Sequence, residues 1–517
     1  MASEEYDYVV VGGGTAGAAV AARLSEDPGV TVALVEAGPS DAANDTILQL
    51  NKWMTLLESG SDWDYLVEPQ ASGNSFLRHS RGRVLGGCSS HSSGIAFWAP
   101  AEDLNDWAID FGCAGWDAKR TERLFQRIET NSEPGEHHGA DGPVPIRQLA
   151  PEDPCGVAVL NACEHAGIPR TQFNDGTTVV SGANFVQINC LEDGVRASSS
   201  VSYLHPIIDT RPNLTVLCGL RAKSLLFDGA QRCVGVDVLD ADVIHTRRIL
   251  AAREVVLSAG AIESPKLLML SGIGPADHLM SVGIPVRLHS PGVGSNLQDH
   301  PEAVVQWVAK RPMVTESPQW REVVIFAATD DGLDRPDIML RYSSVPLDAH
   351  TVRYGFPTTE NGFTLAPSVT RPRSRGTVRL RSIDFRDKPR VDPRYFTDPY
   401  DLRVITQGIR LARHIASKRA MSDWAGDELA PGLAVQTDDD IAEYIQRTHG
   451  TAYHLAGSVR MGSPDDDMAP LDPELRVKGV SGLRVADASI MPELVTVDPE
   501  ITTMMIGEKC ADLINSS

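Results

Sequence analysis

Positive charge is scarce in this sequence of 517 residues: lysine and arginine together number 47, against 69 aspartates and glutamates. The formal net charge at pH 7 is therefore −22. A surface with such an excess of carboxylates repels nucleic-acid phosphates and anionic lipid headgroups. We expect no nucleic-acid partner and no membrane partner.

The sequence also lacks long apolar runs and paired cysteines. No stretch of about 18 apolar residues occurs, the length that a membrane-spanning helix needs. The first residues, MASEEYDYVV, carry acids where a secretion signal carries basic residues. The eight cysteines are scattered, with no Cys-x-x-Cys pair, which suits a reducing compartment rather than a disulfide framework. We predict a cytoplasmic location and no metal site.

The N-terminal stretch EEYDYVVVGGGTAGAAVAARLSED predicts a nucleotide-binding turn. The run YDYVVV is short and apolar, as a buried parallel strand requires, and AGAAVAARL continues as a helix. Between them lie Gly12, Gly14 and Gly17, spaced as Gly-x-Gly-x-x-Gly. Gly12 permits the tight turn, Gly14 lets the backbone approach a pyrophosphate, and Gly17 lets the helix pack on the strand. The helix N terminus offers free N–H groups to the phosphates.

A second buried strand, VTVALVEAG, follows the helix and ends at Glu36, 19 residues after Gly17. A carboxylate at this place accepts hydrogen bonds from ribose hydroxyls and disfavours a phosphorylated ribose. The ligand is therefore predicted to be FAD or NAD rather than NADP. The turn by itself does not separate FAD from NAD.

Further segments contain too many glycine, proline and polar residues among their apolar ones to be ordinary core segments. They are RGRVLGGCSSHSSGIAFW (81–98), GAIESPKLLMLSGIGP (260–275), and TAYHLAGSVRMG (451–462) with its companion VADASIMPELVTVDPEITTMMIGEKCADLI (485–514). With the N-terminal turn, and in the same order along the whole chain, they resemble the glucose–methanol–choline (GMC) oxidoreductases, flavoenzymes that oxidise alcohols. Shorter stretches resemble the choline oxidase group of that family: SGNSFLRH, VSYLHP, NLQDHPE, PTTENGF, SRGTVRLRS, DPRYFTDP and LDPELRVKGV.

The resemblance implies an α/β fold with two units. A Rossmann-type FAD-binding domain would be discontinuous and comprise residues 1–150, 192–301 and 452–517. The remaining residues, 151–191 and 302–451, would form a discontinuous α+β substrate-binding domain built on an antiparallel sheet, as in the GMC fold. A homodimer is a further option.

The resemblance identifies FAD as the cofactor and His91, in GGCSSH, as the residue to which the flavin is covalently attached. Such a bond fixes the flavin and raises its potential, which makes it a better hydride acceptor. The alternative is an ordinary histidine beside a non-covalently bound flavin, since many family members carry another residue there. The expected cofactor-binding residues are Gly12, Gly14, Thr15, Ala16, Gly17, Glu36, Trp63, Gly87, Cys88, His91, Ser92, Ala222, Asp487, Ala488 and Pro499.

Oxidation of an alcohol by flavin requires a group that accepts the hydroxyl proton, because an alcohol is too weak an acid to ionise at pH 7. Such a group contributes about 10²–10⁴-fold to the rate. Histidine suits the task because its pKa lies near neutrality. By resemblance, His454 in TAYHLAG is the active-site histidine, and Ser93 is a further catalytic residue.

The partner of His454 departs from the family pattern. Family members place a histidine or an asparagine about 44 residues downstream, where this chain has Asp498 in TVDPEI. An ionised aspartate only accepts hydrogen bonds. It would also favour a protonated imidazole and disfavour negative charge on the reduced flavin. Asp498 is therefore protonated, balanced by a nearby cation, or paired with His454, and the sequence leaves the three open.

The substrate pocket departs as well. Trp53, Tyr453 and Glu302 match the choline oxidase group, in which the glutamate pairs with the trimethylammonium group and aromatic rings add cation–π contacts. However, Arg341 and Arg321 stand where that group has a histidine and a tryptophan. Arg321 either enters the pocket or turns outward, as most arginines do.

The leading hypothesis is FAD-dependent oxidation of a primary alcohol, choline or a related small amino alcohol, to the aldehyde or on to the acid, with O₂ as acceptor. An alternative substrate is an alcohol with an anionic group held by Arg321 or Arg341. An electron carrier could replace O₂, which would make the enzyme a dehydrogenase. A last hypothesis is an FAD-binding protein with little turnover, disabled by Asp498.

Overall fold

The computed structural model describes residues 3–133, 135–149, 152–175, 181–240, 246–314 and 316–516. The described strands are β1 (Ser3–Val11), β2 (Val32–Val35), β3 (Tyr65–Leu66), β4 (Arg78–His79), β5 (Glu129–Asn131), β6 (Val144–Gln148), β7 (Gly182–Phe185), β8 (Gln187–Asn189), β9 (Leu214–Leu217), β10 (Leu220–Phe227), β11 (Cys233–Asp240), β12 (Thr246–Leu257), β13 (Ile273–Gly274), β14 (Leu288–His289), β15 (Pro301–Glu302), β16 (Val305–Ala309), β17 (Val323–Ala327), β18 (Ile338–Ser343), β19 (Gly362–Val369), β20 (Thr377–Arg379), β21 (Arg390–Asp392), β22 (Ala425–Ala430), β23 (Gly450–Thr451) and β24 (Leu483–Val485). The described α-helices are α1 (Thr15–Leu24), α2 (Asp45–Leu48), α3 (Ala101–Ile109), α4 (Ala118–Ile128), α5 (Pro154–His165), α6 (Gly260–Leu270), α7 (Ala276–Ser281), α8 (Pro399–Ala416), α9 (Asp438–Thr448) and α10 (Glu500–Asn515).

The first sheet has seven strands in the order β10–β11–β12–β1–β2–β9, with β24 also beside β12. The strands β12, β1, β2 and β9 run parallel, and β10 and β11 extend the sheet in antiparallel fashion. The second half of β1 and all of β2 are buried. Strands buried on both faces read as continuous apolar runs, which is the pattern that predicted them.

The turn between β1 and α1 shows why its glycines are needed. Gly12 has a φ of +107°, and a Cβ there would lie 2.4 Å from the carbonyl oxygen of Ser258. A Cβ on Gly17 would lie 2.0 Å from the carbonyl oxygen of Gly12, so α1 packs directly on the end of β1. Gly14 is less crowded, because a Cβ there would make only ordinary contacts, the nearest with the Cα of Gly87 at 3.8 Å. The N terminus of α1 is therefore accessible to a phosphate.

The second sheet has eight strands in the order β22–β16–β19–β18–β17–β7, with β15 pairing with both β19 and β23. All of its pairings are antiparallel. The strands β17, β18 and β19 are buried throughout, and α8 packs against β18 and β19. This sheet is the antiparallel part of the predicted α+β unit.

A short pairing at the edge of this sheet brings distant segments together. Pro301 of β15 pairs with Thr451 of β23, and Glu302 pairs with Gly450. The stretch NLQDHPE therefore lies beside TAYH, so that Glu302 and His454 are brought to the same region. The C-terminal helix α10 packs against α1 and begins at Glu500, directly after Asp498 and Pro499.

The predicted fold class is confirmed: a Rossmann-type α/β unit is combined with an α+β unit built on an antiparallel sheet. The proposed domain boundaries stay a prediction, and residues 150 and 151 lie outside the described residues. No described helix has both the length and the apolar character needed to cross a membrane.

Candidate active site

A cavity of about 260 Å³ brings together most of the predicted site residues. A single water needs roughly 10–15 Å³ in the same measure, so the cavity has room for a large ligand. Among the predicted residues, those that line it are Gly12, Gly14, Thr15, Ala16, Glu36, Trp53, Trp63, Gly87, Cys88, His91, Ser92, Ser93, Ala222, Arg321, Arg341, Tyr453, His454, Asp487, Ala488, Asp498 and Pro499. Gly17 and Glu302 do not line it.

Glu36 has a second task at the nucleotide end of the cavity. Its Oε2 accepts a hydrogen bond from the backbone N–H of Gly13 at 2.9 Å, and its Oε1 accepts one from Gly38 at 2.7 Å. Burial raises the pKa of this carboxyl to about 7, although these backbone hydrogen bonds partly offset the effect. Glu36 therefore holds the glycine turn in shape and also lines the cavity.

Asp487 also supports the backbone that surrounds the cavity. Its Oδ2 accepts hydrogen bonds from the N–H of Gly260 at 2.9 Å and from Ser264 Oγ at 2.6 Å, and its Oδ1 accepts one from the N–H of Ser489 at 2.7 Å. Burial raises the pKa of Asp487, which these hydrogen bonds counteract. The carboxyl connects the end of β24 to the start of α6.

His91 lines the cavity and keeps one ring nitrogen without a hydrogen-bond partner among the described residues. Its ring is buried, and no described group lies within hydrogen-bonding distance of Nε2. Burial lowers the pKa of His91 to about 4, so the imidazole is neutral near pH 7. A buried ring nitrogen without a partner, at the wall of a cavity, is a lone pair free to bond to a ligand. The residues present therefore fit an FAD attached at this position.

The hydrogen bonds around His454 assign its protons. His300 Nε2 lies 2.9 Å from the carbonyl oxygen of Thr370, which can only accept, so Nε2 of His300 carries a hydrogen. In the neutral ring its Nδ1 is then an acceptor, and it lies 2.9 Å from His454 Nδ1. His454 Nδ1 must therefore donate, which leaves the lone pair of His454 on Nε2.

The charges near His454 keep it neutral. Burial first, and then the guanidinium groups of Arg341, Arg81 and Arg321, hold the pKa of His454 well below its ordinary value of about 6.5. Its backbone N–H donates to Asp299 Oδ1 at 2.8 Å, which fixes the position of the residue. His454 thus presents an unprotonated Nε2 at the wall of the cavity.

The carboxylate of Asp498 is balanced by a cation. Arg341 is fully buried in β18 and donates through Nη2 to Asp498 Oδ1. Burial lowers the pKa of Arg341, but Asp498 and Glu302 outweigh it and the net shift is upward. His454 Nε2 lies 3.9 Å from Asp498 Oδ1, which is too far for a hydrogen bond. The sequence left three arrangements open for Asp498. The structure contains the one in which a cation, here Arg341, balances the carboxylate.

Glu302 is paired with two guanidinium groups, and its role in binding a substrate ammonium group stays a prediction. Arg321 donates to both of its carboxylate oxygens, at 3.0 and 3.1 Å, and Arg341 donates to Oε2 at 3.1 Å. The guanidinium of Arg321 also lies over the ring of Trp53, 5.5 Å from its centroid. Arg321 therefore enters the site rather than turning outward, and it covers the face that an ammonium group would use.

Sequence reasoning assigned no role to His300, Asp299 or Arg81. His300 and Asp299 stand in NLQDHPE, two and three positions before Glu302, and Arg81 donates to the backbone carbonyl of Tyr453. The signal available for Asp299 and His300 was their place inside the matched stretch NLQDHPE. Among the described residues, no histidine, cysteine or acidic side chains are grouped as a metal site.

Comparisons with known proteins identify the family of this chain. Residues 6–302 and 372–507 match the two parts of the family described as GMC oxidoreductase. The chain belongs to the GMC oxidoreductase family. A choline oxidase from Arthrobacter globiformis is 63% identical over 522 residues, which covers 100% of this chain and 95% of the relative. A mitochondrial choline dehydrogenase from Homo sapiens is 35% identical and covers 99% and 90% of the two chains.

Solved structures of two other proteins share the fold. A pyridoxine 4-oxidase from Mesorbium loti superposes with a TM-score of 0.92 at 31% identity and covers 99% of each chain. A formate oxidase superposes with a TM-score of 0.90 at 27% identity, over 100% of this chain and 99% of that one. The prediction of an FAD-dependent GMC alcohol oxidoreductase is confirmed.

Replacing His454 with glutamine should slow flavin reduction by alcohol at least about 10²-fold, because the proton acceptor is lost. Flavin content should stay normal. Rapid mixing under anaerobic conditions, with absorbance of the oxidised flavin as the signal, measures the step. His137→Ala is the matched control, since His137 bonds to Glu122 away from the cavity. Near-normal reduction in His454→Gln would remove this residue from the mechanism.

The pH dependence of the same step should reflect the lowered pKa of His454. The neutral imidazole accepts the proton, and it persists to lower pH than in an ordinary histidine. The limiting rate of flavin reduction should therefore stay on its plateau as the pH falls through about 6.5, and decline only below that value. A half-loss of the rate at or above about pH 6.5 would contradict the assignment.

Proposed function

We propose that this chain oxidises a primary alcohol to the aldehyde, with FAD attached to His91 through Nε2. Bound FAD supplies the hydride acceptor. His454 Nε2 accepts the hydroxyl proton, and Ser93 at the cavity wall is placed to help orient the hydroxyl. The observation that carries the proposal is the neutral His454 with its lone pair at Nε2, fixed by the hydrogen bonds of His300. The hypothesis of an FAD-binding protein with little turnover loses its basis, because Arg341 balances the charge of Asp498.

Choline or a related small amino alcohol is the leading substrate. The support is the Arthrobacter choline oxidase, 63% identical over the full chain. Trp53 and Tyr453 are retained at the cavity wall, and Glu302 is retained directly behind the two arginines. An ammonium group that binds here would have to draw Glu302 away from Arg321.

An alcohol with an anionic group is the second candidate, and Arg321 is the observation that favours it. Its guanidinium lines the cavity, and its Nε is buried without a partner among the described residues. A guanidinium at the wall of a cavity suits the binding of a carboxylate. Since Glu302 and Asp498 are already balanced by Arg321 and Arg341, a cation gains little attraction from this pocket.

O₂ is the proposed electron acceptor, supported by the choline oxidase relative. The mitochondrial choline dehydrogenase is a relative too, so an electron carrier is the competing acceptor. Cytoplasmic location and a homodimer stay predictions from the sequence. The first test is anaerobic addition of choline, 3-hydroxypropanoate and ethanol to the yellow protein. Bleaching by any of them supports alcohol oxidation, and bleaching by none contradicts it.

Substituting Arg321 with glutamine should shift substrate preference. The change removes two of the hydrogen bonds to Glu302 and uncovers Trp53, while Arg341 keeps the third. We expect KM for choline to fall about tenfold and KM for 3-hydroxypropanoate to rise about tenfold, each equivalent to one charge-assisted hydrogen bond. Steady-state kinetics with both alcohols measure the shift.

Arg311→Gln is the control for this variant. Arg311 is an exposed arginine that pairs with Asp423, so its loss should change neither KM. Unchanged KM values in Arg321→Gln would show that the guanidinium does not contact substrate.

Reoxidation by O₂ should depend on Ala452, which lines the cavity beside His454. Choline oxidases, which this segment resembles, carry valine at the position that matches Ala452. The smaller alanine side chain leaves fewer apolar contacts for O₂. Since Arg341 balances the charge of Asp498, the aspartate should slow reoxidation only a little. We expect reoxidation about severalfold slower than in Ala452→Val, measured by mixing reduced protein with air-saturated buffer. Equal rates in the two proteins would exclude a role for the side chain at 452.

A further inference from the structure

His91 ends a buried chain of hydrogen bonds that begins at a carboxylate. Ser80 Oγ donates to Asp62 Oδ2 at 2.6 Å, and it lies 3.3 Å from His91 Nδ1. The hydroxyl hydrogen is used on Asp62, so Ser80 Oγ can only accept from the ring. His91 Nδ1 therefore carries the hydrogen, and the lone pair lies on Nε2, the nitrogen without a described partner.

The carboxylate at the start of this chain is held rigidly. Asp62 accepts backbone hydrogen bonds from Glu58, Asp64 and Arg81, each at 2.8 Å, in addition to the one from Ser80. Four donors around two oxygens suit an ionised carboxylate, which only accepts. Asp62, Ser80 and His91 are all buried. The negative charge is therefore fixed, and little water screens it from the ring.

We propose that Asp62 and Ser80 form a relay that activates His91 for the covalent attachment of FAD. The relay rests on the attachment included in the proposed function. Asp62 and Ser80 act as positioning residues: they set the tautomer that leaves Nε2 nucleophilic, and neither forms a bond to the flavin. A carboxylate that orients an imidazole in this way is a recurrent arrangement in enzymes that use histidine chemistry.

The electron balance of the attachment shows why the relay is needed. The lone pair of His91 Nε2 forms a bond to the 8α-carbon of the flavin, and that methyl group loses one hydrogen as a proton. The electron pair of the broken C–H bond reduces the flavin ring. O₂ then takes the two electrons, together with the proton released from the methyl group and one proton from solvent, to give hydrogen peroxide. The imidazole is left alkylated at Nε2, protonated at Nδ1 and positively charged. Ser80 and Asp62 stabilise that charge.

Apart from Asp62, the surroundings of His91 disfavour a positive charge on its imidazole ring. Burial lowers its pKa, and so do the nearby guanidinium groups of Arg196 and Arg81. The charge of Asp62 acts in the opposite direction. Asp62 is thus the negative charge that offsets two positive ones while the bond forms.

The test follows attachment itself rather than activity. The full chain is purified with excess FAD present from lysis, and aliquots are denatured in acid at intervals under air. Flavin in the pellet and intact mass report covalent attachment, while flavin retained on gel filtration reports total binding. His91→Ala is the negative control. Ser90→Ala is the matched serine control, because Ser90 Oγ donates to the carbonyl of Leu85 and not to His91.

We expect Ser80→Ala to bind FAD as fully as the unaltered chain but to attach it about 10- to 100-fold more slowly, the effect of one hydrogen bond to a charged group. Asp62→Asn should be slowed at least as much. Ser80→Thr keeps the hydroxyl and should recover attachment. This pattern separates a relay from a structural role, because a structural role would lower total binding together with attachment.

Attachment at the normal rate in Ser80→Ala, or in Asp62→Asn if the alanine variant does not fold, would overturn the relay. Loss of total flavin binding in proportion to attachment would also overturn it. An unaltered chain whose flavin remains entirely in the acid supernatant would overturn both the relay and the covalent link. Alcohol oxidation would then still be judged separately, by bleaching of the bound flavin.

Discussion

The buried guanidinium of Arg341 is the contact on which the arrangement of the site depends. It projects from the middle of β18 and donates to Glu302 in β15 and to Asp498 before α10. It therefore connects the antiparallel sheet to the C-terminal segment of the cofactor-binding unit. Removing one partner of a buried ion pair costs about 3–5 kcal/mol, because the other charge is left uncompensated. Both the geometry and the charge balance of the cavity rest on this residue.

That balance explains how a histidine can act as a base beside an aspartate. An unbalanced carboxylate near His454 would favour the imidazolium ion, which cannot accept a proton. With Asp498 and Glu302 each bound to a guanidinium, burial and the arginines dominate, and His454 stays neutral. The chain from Thr370 through His300 to His454 then directs its lone pair to Nε2. Charge and tautomer are set by different neighbours, and both are needed.

The sequence predicted what depends on local patterns and missed what depends on long-range pairing. The strand, glycine turn and helix around Gly12 follow from neighbouring residues, as does the position of His91 after two glycines. The partner of Glu302 could not be derived in this way. Whether Arg321 turns inward depends on a carboxylate 19 positions earlier and on Trp53 from another part of the chain. His300 was overlooked because its role arises only when β15 pairs with β23.

The four mutually compensated charges also bear on how such a pocket can change over generations. An isolated exchange of Arg341 or Asp498 leaves a buried charge alone, at a cost comparable to much of the stability of an ordinary domain. Neighbouring substitutions of this kind are not additive. The evolution of this pocket into one whose glutamate has no arginine partner therefore favours paired replacements over single substitutions. Arg341 and Asp498 are expected to vary together among related chains. Substrate preference would then change abruptly, when both are replaced, rather than gradually.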